Sequence, residues 1–173
     1  MNMEVRLEKE NDFHEVYNVN ELAFGGDSEA RLVNLLRRSK AFIPDLSLVA
    51  VDEYKVVGYI LFTRIVIRAD DGKQFHSLAL APMAVRPEFQ KQGVGRQLVM
   101  HGLNRAKDLG HKSVIVLGHE HYYPRFGFVP AANWHIRSPY DVPSNSFMAI
   151  ELVSGGLKGI TGMVEYPKEF GEV

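Results

Sequence analysis

The feature that most constrains this chain is a pair of glycines between an apolar segment and a helical pattern. Gln90-Lys91-Gln92-Gly93-Val94-Gly95 follows the apolar residues 77–85, and helical spacing begins near Val94. Two glycines at the start of a helix let the backbone turn tightly with its N–H groups pointing outward. These first N–H groups lack helical acceptors and lie at the positive end of the helix dipole. The sequence therefore predicts a strand–loop–helix unit that binds a phosphorylated ligand.

The other segments alternate between strand-like and helix-like patterns, which predicts an α/β fold. The predicted strands are apolar and rich in β-branched or aromatic residues. They cover residues 5–7, 46–51, 56–67, 75–85, 114–117, 128–129, 147–152 and 163–166. The predicted helices have apolar residues spaced by three and four. They cover residues 13–24, 29–36, 94–109 and 120–126, with Asn11-Asp12 and Ser28 as N-caps and with Gly25-Gly26 and Gly110 as stops.

Length and composition favour one domain. The 173 residues suffice for one core, so we predict a single domain over residues 1–173. The net charge of −1 gives no support for a nucleic-acid or membrane partner. Cysteine is absent, which excludes disulfides, thiolate metal sites and a cysteine nucleophile. The N-terminal residues lack the pattern of a signal peptide and no apolar run approaches bilayer-spanning length, so we expect a cytoplasmic protein.

The spacing of the glycine loop separates several kinds of phosphate site. A dinucleotide fingerprint requires a third glycine where this chain has Leu98, and the Gly-Lys-Ser/Thr ending of a Walker loop is absent. The loop instead resembles Gln/Arg-x-x-Gly-x-Gly/Ala, the pyrophosphate loop of the GCN5-related N-acetyltransferases (GNAT). The alternative is a plain strand-to-helix turn that uses glycine for backbone freedom.

A proline lies inside the strand that precedes this loop. Pro82 cannot donate a ladder hydrogen bond, so it predicts a bulge or local splaying of the sheet. Backbone groups of Met83, Ala84 and Val85 would then be free to pair with an extended, amide-containing ligand. Pantetheine is such a ligand, and its pyrophosphate would fall on the loop that begins at Gln90. The alternative is that Pro82 only marks an edge or a bulge.

A second motif follows the next apolar strand. Residues 114–117 follow a helical crossover, which predicts a central strand parallel to its neighbour and brings the residues after it opposite Met83 to Val85. Tyr123, Gly127 and Phe128 match a Tyr-x-x-x-Gly-Phe element of the acetyltransferase family. The resemblance implies that the Tyr123 hydroxyl protonates the departing thiolate. The alternative is that Tyr122 and Tyr123 are core aromatics with satisfied hydroxyls.

The resemblance covers nearly the whole chain and is closest to the YhbS-like branch of the GNAT superfamily. It rests on residues 29–33, 46–50, 80–85, 116–119, 122–128 and 147–148. It implies a mixed, mostly antiparallel sheet with splayed central parallel strands, flanked by helices. It also implies acetyl-CoA as cosubstrate and direct transfer to an amine. One departure is that Gly118-His119 occupies the region where many members carry an asparagine.

The resemblance also implies a set of site residues. Tyr123 is its catalytic candidate; His119 is a second one because it is close to Tyr123 in sequence, and it is a base, an acceptor-site residue or simply solvated. The cofactor-binding candidates are Met83, Ala84, Val85, Gln90, Lys91, Gln92, Gly93, Val94, Gly95, Arg96 and Phe126. His119-x-His121 on a strand-like segment would also place two rings on one face, but two ligands without a third do not predict a metal.

The sequence does not identify the amine that would accept the acetyl group. It is an amine on a small molecule or a peptide, and the loop that carries Trp134 and Tyr140 either borders its cleft or packs on the surface. Glu88 either orients the glycine loop or is solvated. The C-terminal segment leaves a homodimer open. The alternative function is a non-catalytic CoA-binding sensor or scaffold.

Overall fold

The computed structural model describes residues 1–173 and confirms the mixed α/β class. Its α-helices are α1 (Phe13–Phe24), α2 (Ser28–Arg37) and α3 (Val94–Asp108). Its strands are β1 (Met3–Leu7), β2 (Ser47–Asp52), β3 (Lys55–Arg68), β4 (Gln74–Val85), β5 (Ser113–Leu117), β6 (Val129–Pro130), β7 (Ile136–Arg137), β8 (Phe147–Glu151) and β9 (Gly162–Glu165). No helix combines the length and the apolar character needed to cross a membrane.

The nine strands form one mixed sheet. Its main path is β1-β2-β3-β4-β5-β8-β6, and β9 pairs with both β3 and β7. The predicted parallel pairing of β4 with β5 is confirmed, since Leu78 pairs with Val114 and Ala79 with Ile115. β4 then continues through a cis Ala81–Pro82 peptide to Val85. The splaying of the strands near this proline stays a prediction.

The chain divides into two compact units. The first contains residues 1–63, 81–105 and 168–173, and the second contains residues 64–80 and 106–167. Strands β3 and β4 and helix α3 each have residues in both units. The single domain over residues 1–173 stays a prediction.

The first unit buries α1 and α2 against β2 and β3. Their apolar residues form one cluster: Val16, Val19, Leu32, Val33, Leu36, Val49, Val56, Tyr59, Leu61 and Ala84. Phe170 packs against this cluster, so the C-terminal segment that the sequence left unexplained is held by the core of this unit. The apolar residues of α1 and α2 reach this cluster because their helical spacing places them along one side of each helix.

A buried polar network ties β1, α2, β2 and β3 together within this unit. The guanidinium of Arg37 pairs with the carboxylate of Glu8, whose side chain is only 3% exposed. The Ser47 hydroxyl donates to Glu8 at 2.8 Å and lies 2.7 Å from the Tyr59 hydroxyl. Each buried polar group in the network therefore has a partner, which is the condition for tolerating buried charge.

The second unit has its own core. It combines residues of β3, β4, β5, β8 and β9 with the segments between β6 and β8 and between β8 and β9: Ile65, Ile67, Ala79, Ile115, Ala131, Ile136, Phe147, Ala149, Leu157 and Val164. Trp134 is half-buried against this core, and the exposed Tyr140 stacks on Tyr166 with ring centroids 5.5 Å apart. These two aromatic residues therefore pack in their own unit, and a role at an acceptor cleft stays a prediction.

Two predicted helix starts differ in detail. Asp12 occupies the N-cap position of α1 but makes no capping hydrogen bond to it. Its carboxylate instead accepts two hydrogen bonds from Arg6, at 2.7 and 3.0 Å, because a charged guanidinium is the stronger donor. Ser28 is the first residue of α2, and Asp27 is its N-cap. Gly25 ends α1 with a φ of 68°, as predicted.

Candidate active site

The glycine loop joins β4 to α3 within the first unit. Lys91 and Gly93 have φ values of 62° and 86°, so the loop contains two left-handed residues. The amide of Gln90 donates to the Val85 carbonyl at 3.1 Å, and the amide of Gln92 donates to the Glu88 carbonyl at 3.0 Å. Both glutamines of the motif therefore hold the loop in shape through backbone oxygens.

The first turn of α3 presents unpaired backbone donors. The first helical hydrogen bond runs from the Gln97 N–H to the Gly93 carbonyl at 3.1 Å. The N–H groups of Val94, Gly95 and Arg96 therefore precede the helical ladder and have no acceptor in the helix. This geometry is that of an anion-binding helix start.

Charged side chains around the loop differ in their partners. Lys91 and Arg96 are exposed and form no ion pair. Glu88 pairs with Lys55, whose Nζ lies 3.5 Å from Oε1. A hydrogen bond from its own backbone N–H and the charge of Lys55 hold the pKa of Glu88 below its usual value. Two cations therefore remain available for a phosphorylated ligand, while Glu88 is already neutralised.

Helix α3 sits unusually close to β3 beneath the loop. A Cβ built on Gly58 would lie 2.9 Å from Val94 Cγ1 and 2.9 Å from Leu98 Cδ1. Gly58 is therefore required by the first turn of α3, which carries the unpaired N–H groups. The signal was visible in the sequence, because an isolated glycine inside a strand pattern indicates a close approach. Sequence reasoning did not use it.

The predicted pantetheine-binding segment ends β4. Ala84 is buried, and Met83 and Val85 are half-buried. The Val85 carbonyl already accepts the Gln90 amide, and the following residue, Arg86, donates its N–H to the Val57 carbonyl at 2.8 Å. The segment is therefore anchored at its end to the glycine loop and to β3.

A pocket of about 490 Å³ lies beside the glycine loop in the first unit. It is lined by Met1, Met3, Val5, Gln92, Gly93, Arg96, Gln97 and His101. It contains none of Met83 to Val85, so it marks the flank of the loop that faces β1 rather than the groove predicted for pantetheine.

Tyr123 lies in an aromatic box in the second unit. Its ring centroid is 5.1 Å from that of Tyr122, 5.7 Å from Phe128 and 6.4 Å from Phe126. Gly118 closes another side, since its α-carbon has no room for a side chain beside the Tyr123 ring. The residues of the Tyr-x-x-x-Gly-Phe element are therefore brought together around one tyrosine.

The Tyr123 ring is buried, but its hydroxyl makes no hydrogen bond within the protein and is not sealed from solvent. The residue is 7% exposed. Burial, and to a smaller extent the neighbouring Tyr122, raises the pKa of Tyr123 far above its usual value. The group is therefore a neutral O–H donor without an internal acceptor, which is the form that a general acid needs.

His119 and His121 differ from the prediction. They do not lie on a strand, because β5 ends at Leu117 and the chain bends at Gly118. The His119 carbonyl accepts the N–H groups of Tyr122 and Tyr123 at 3.1 and 3.4 Å, which closes a turn instead. Both imidazoles are exposed, and no group of three potential metal ligands is present.

Comparison with known proteins identifies the family. The acetyltransferase (GNAT) domain matches residues 44–130. The N-acetyltransferase YhbS of Escherichia coli K12 is 36% identical over 86% of this chain and 86% of its own length. The N-acetyltransferase YjhQ of the same strain is 42% identical over 76% of this chain and 73% of its own length.

Solved structures agree with the sequence matches. The crystal structure of YhbS from E. coli in complex with CoA has a TM-score of 0.90 and 32% identity, covering 98% of this chain and 92% of that one. A GNAT acetyltransferase from Brucella melitensis in complex with acetyl-CoA has a TM-score of 0.80 and 29% identity, covering 98% of both chains. The chain therefore belongs to the GNAT family of N-acetyltransferases.

Proposed function

We propose that this protein transfers the acetyl group of acetyl-CoA to a primary amine, and that Tyr123 acts as the general acid. The observation that carries the proposal is the Tyr123 hydroxyl, which has no partner inside the protein, is not sealed from solvent and belongs to a buried ring that keeps it protonated. The solved relatives that hold CoA and acetyl-CoA support the choice of donor.

The residues of the first unit supply the binding of the donor. The N–H groups of Val94, Gly95 and Arg96 hold the pyrophosphate at the positive end of α3, and Lys91 and Arg96 add neutralising charge. The backbone of Met83 to Val85 holds the pantetheine amides as an added strand would. Gln90 and Gln92 act indirectly by fixing the loop, and Phe126 remains a proposed contact.

The chemical step follows from the thioester. The amine nitrogen attacks the carbonyl carbon, a C–N bond forms and the C–S bond breaks. The departing thiolate takes the Tyr123 proton, and the proton lost by the amine restores the phenol through solvent or a base. The products are an N-acetylated amine and CoA. His119 is the proposed proton acceptor, because it lies in the same turn as Tyr123 and its imidazole is exposed.

Calorimetric titration with acetyl-CoA tests the binding half of the proposal. A panel of amines, with products read by mass spectrometry and free CoA by thiol titration, tests the transfer. We expect binding together with stoichiometric acetylated product and CoA. Absence of binding at millimolar acetyl-CoA overturns the proposal. Binding without product from any amine favours the non-catalytic sensor instead.

Tyr123→Phe tests the acid. Loss of a general acid typically costs on the order of 100- to 10,000-fold in rate, so kcat is expected to fall within about that range while acetyl-CoA affinity is kept. Tyr122→Phe is the matched control, because it removes a hydroxyl from the adjacent, half-buried ring and keeps the aromatic contacts. Unchanged kcat in Tyr123→Phe, or an equal loss in both variants, removes Tyr123 from this role.

A further inference from the structure

Gly118 lies where β5 ends and the Tyr123 turn begins. A Cβ at position 118 would collide with the Cε2 atom of Tyr123 and would lie 2.9 Å from its Cδ2 atom. Real Cβ atoms keep about 3.4 Å or more from such neighbours. The ring of Tyr123 therefore rests directly on the bare α-carbon of Gly118.

The backbone at Gly118 is held in place and cannot move away from the Tyr123 ring. The N–H of Gly118 donates to the Ser146 carbonyl at 2.9 Å, and the preceding residue, Leu117, pairs with Phe147 in the ladder between β5 and β8. Position 118 is thus held by the sheet and by the segment that leads into β8. A side chain placed there would displace the ring and not the strand.

The opposite sides of the ring are also occupied. Tyr122 and Phe128 meet it edge to face at 88° and 77°, and Phe126 lies at 54°. The Tyr123 N–H is tied to the His119 carbonyl at 3.4 Å. The ring therefore has one position in which it fits, and the direction of its hydroxyl depends on the space above Gly118.

We propose that Gly118 is a positioning residue for catalysis, which sets the direction of the Tyr123 hydroxyl by leaving the ring room on the β5 backbone. The proposal rests on the acid role given to Tyr123 above. It assigns a specific task to one residue of Gly118-His119, the region where many relatives carry an asparagine. In this proposal Gly118 acts only through the Tyr123 ring.

The kinetic test is Gly118→Ala, alone and combined with Tyr123→Phe. In the single variant kcat is expected to fall about 10- to 100-fold, because a misplacement of about 1 Å costs on the order of 100-fold. The KM for acetyl-CoA should stay within about twofold, since only Phe126 among the proposed donor-binding residues packs beside the Tyr123 ring. In the Tyr123→Phe background the same substitution should change kcat by less than about twofold, because two residues that act as a unit are not additive.

Gly171→Ala is the matched control, because its Cβ meets nothing within 4 Å and the position lies near the C-terminus. It should leave kcat and the melting temperature unchanged. A general structural effect of Gly118→Ala would instead lower kcat by the same factor in both backgrounds, and that result overturns the inference. Unchanged kcat in Gly118→Ala, while Tyr123→Phe is impaired, also overturns it.

A second variant covers the case in which Gly118→Ala does not fold. Tyr123→Leu removes the ring carbons that the new Cβ would meet, so Gly118→Ala should lower the melting temperature in the wild-type protein but not in Tyr123→Leu. Equal losses in both backgrounds contradict the ring contact. If Tyr123→Phe keeps full activity, the proposed acid fails, and the melting-temperature comparison still reports the contact by itself.

Discussion

Replacing Gly58 with alanine is expected to weaken acetyl-CoA binding as well as folding, because this glycine lies beneath the first turn of α3. The new Cβ would lie 2.9 Å from both Val94 Cγ1 and Leu98 Cδ1, whereas ordinary contact begins at 3.4 Å. These two side chains must give way by about 0.5 Å, and because both are buried we expect the first turn of α3 to move with them. The same turn carries the N–H groups proposed to bind the pyrophosphate.

Two costs follow from this displacement. Overpacking of a core costs about 1–3 kcal/mol, and alanine in a strand returns about 0.5–1 kcal/mol relative to glycine, so a net loss of up to about 2.5 kcal/mol is expected. Hydrogen bonds to the pyrophosphate would lengthen by about 0.5 Å and lose part of the roughly 1.5–3 kcal/mol that such charged bonds contribute. An affinity loss of about 5- to 30-fold is the expected result.

The assays are urea unfolding for stability and calorimetric titration for acetyl-CoA affinity, at a temperature where the variant is folded. Gly102→Ala provides the matched control, because Gly102 lies on the same helix and its Cβ would collide with the ring of Phe62 on the same strand. It lies nine residues after Gly93, so the disturbance should begin about 13 Å from the loop. Gly102→Ala should therefore lose stability but keep most of its affinity.

The comparison of Gly58→Ala with Gly102→Ala tests whether the packing of Gly58 supports the phosphate loop. If Gly58→Ala is destabilised but binds acetyl-CoA as the wild type does, the helix start does not carry the pyrophosphate. If both variants lose affinity by the same factor, the effect is general and not transmitted through the first turn of α3. Either result would refute the link between the packing of Gly58 and the phosphate loop.

Two further predictions concern the stability of the first unit. Arg37→Met should cost about 3–5 kcal/mol in urea unfolding, because it leaves the carboxylate of Glu8 buried without its cation. Adding Glu8→Met should recover a large part of that loss, and no recovery would contradict the account. Because hydrogen bonding from Arg6 lowers the pKa of Asp12 below 3.8, this carboxylate stabilises the fold above that pH and the contribution is lost as pH falls through the lowered value. In Asp12→Asn the unfolding midpoint should therefore fall less steeply with decreasing pH than in the wild type. An unchanged slope would show that the pair of Arg6 and Asp12 contributes nothing.

Local patterns predicted the larger elements because their information is local. The stripe from Val94 to Leu109 and the stop at Gly110 placed α3 within one residue of its observed end at Asp108. The apolar run Val114–Leu117 predicted a central strand, and it pairs with β4 on one side and β8 on the other. A buried strand needs only a continuous apolar run, so such segments can be recognised without knowing their neighbours.

The smaller elements could not be predicted in the same way. The expected helix over residues 120–126 is a turn followed by a 3₁₀ segment, Tyr123–Phe126, because Pro124 supplies no N–H and the residues pack around one ring. The strand β7 is only two residues long and exists through its pairing with β9. In both cases the structure is decided by partners that are distant in sequence.

The candidate site likewise contains residues that local sequence predicts and residues that it does not. Motif spacing identified the glycine loop and Tyr123, because a helix start and a Tyr-x-x-x-Gly-Phe element are defined over a few residues. The roles of Gly58 and Gly118 depend on which atoms lie opposite them, and neither spacing nor composition contains that information. Gly58 interrupted a strand pattern and could have been noticed for that reason.

The departure at Gly118-His119, together with the unidentified base, left room for a chain that binds CoA without catalysis. Any side chain at position 118 would meet the Tyr123 ring, so a protein that keeps the ring there must have glycine. The seating of Tyr123 therefore excludes an asparagine at position 118 itself. The Tyr123 hydroxyl in the same region has no partner in the protein and is not sealed from solvent, so an incoming ligand can reach it. A reachable, protonated hydroxyl beside the departure favours the proposed transferase over a sensor that only binds CoA.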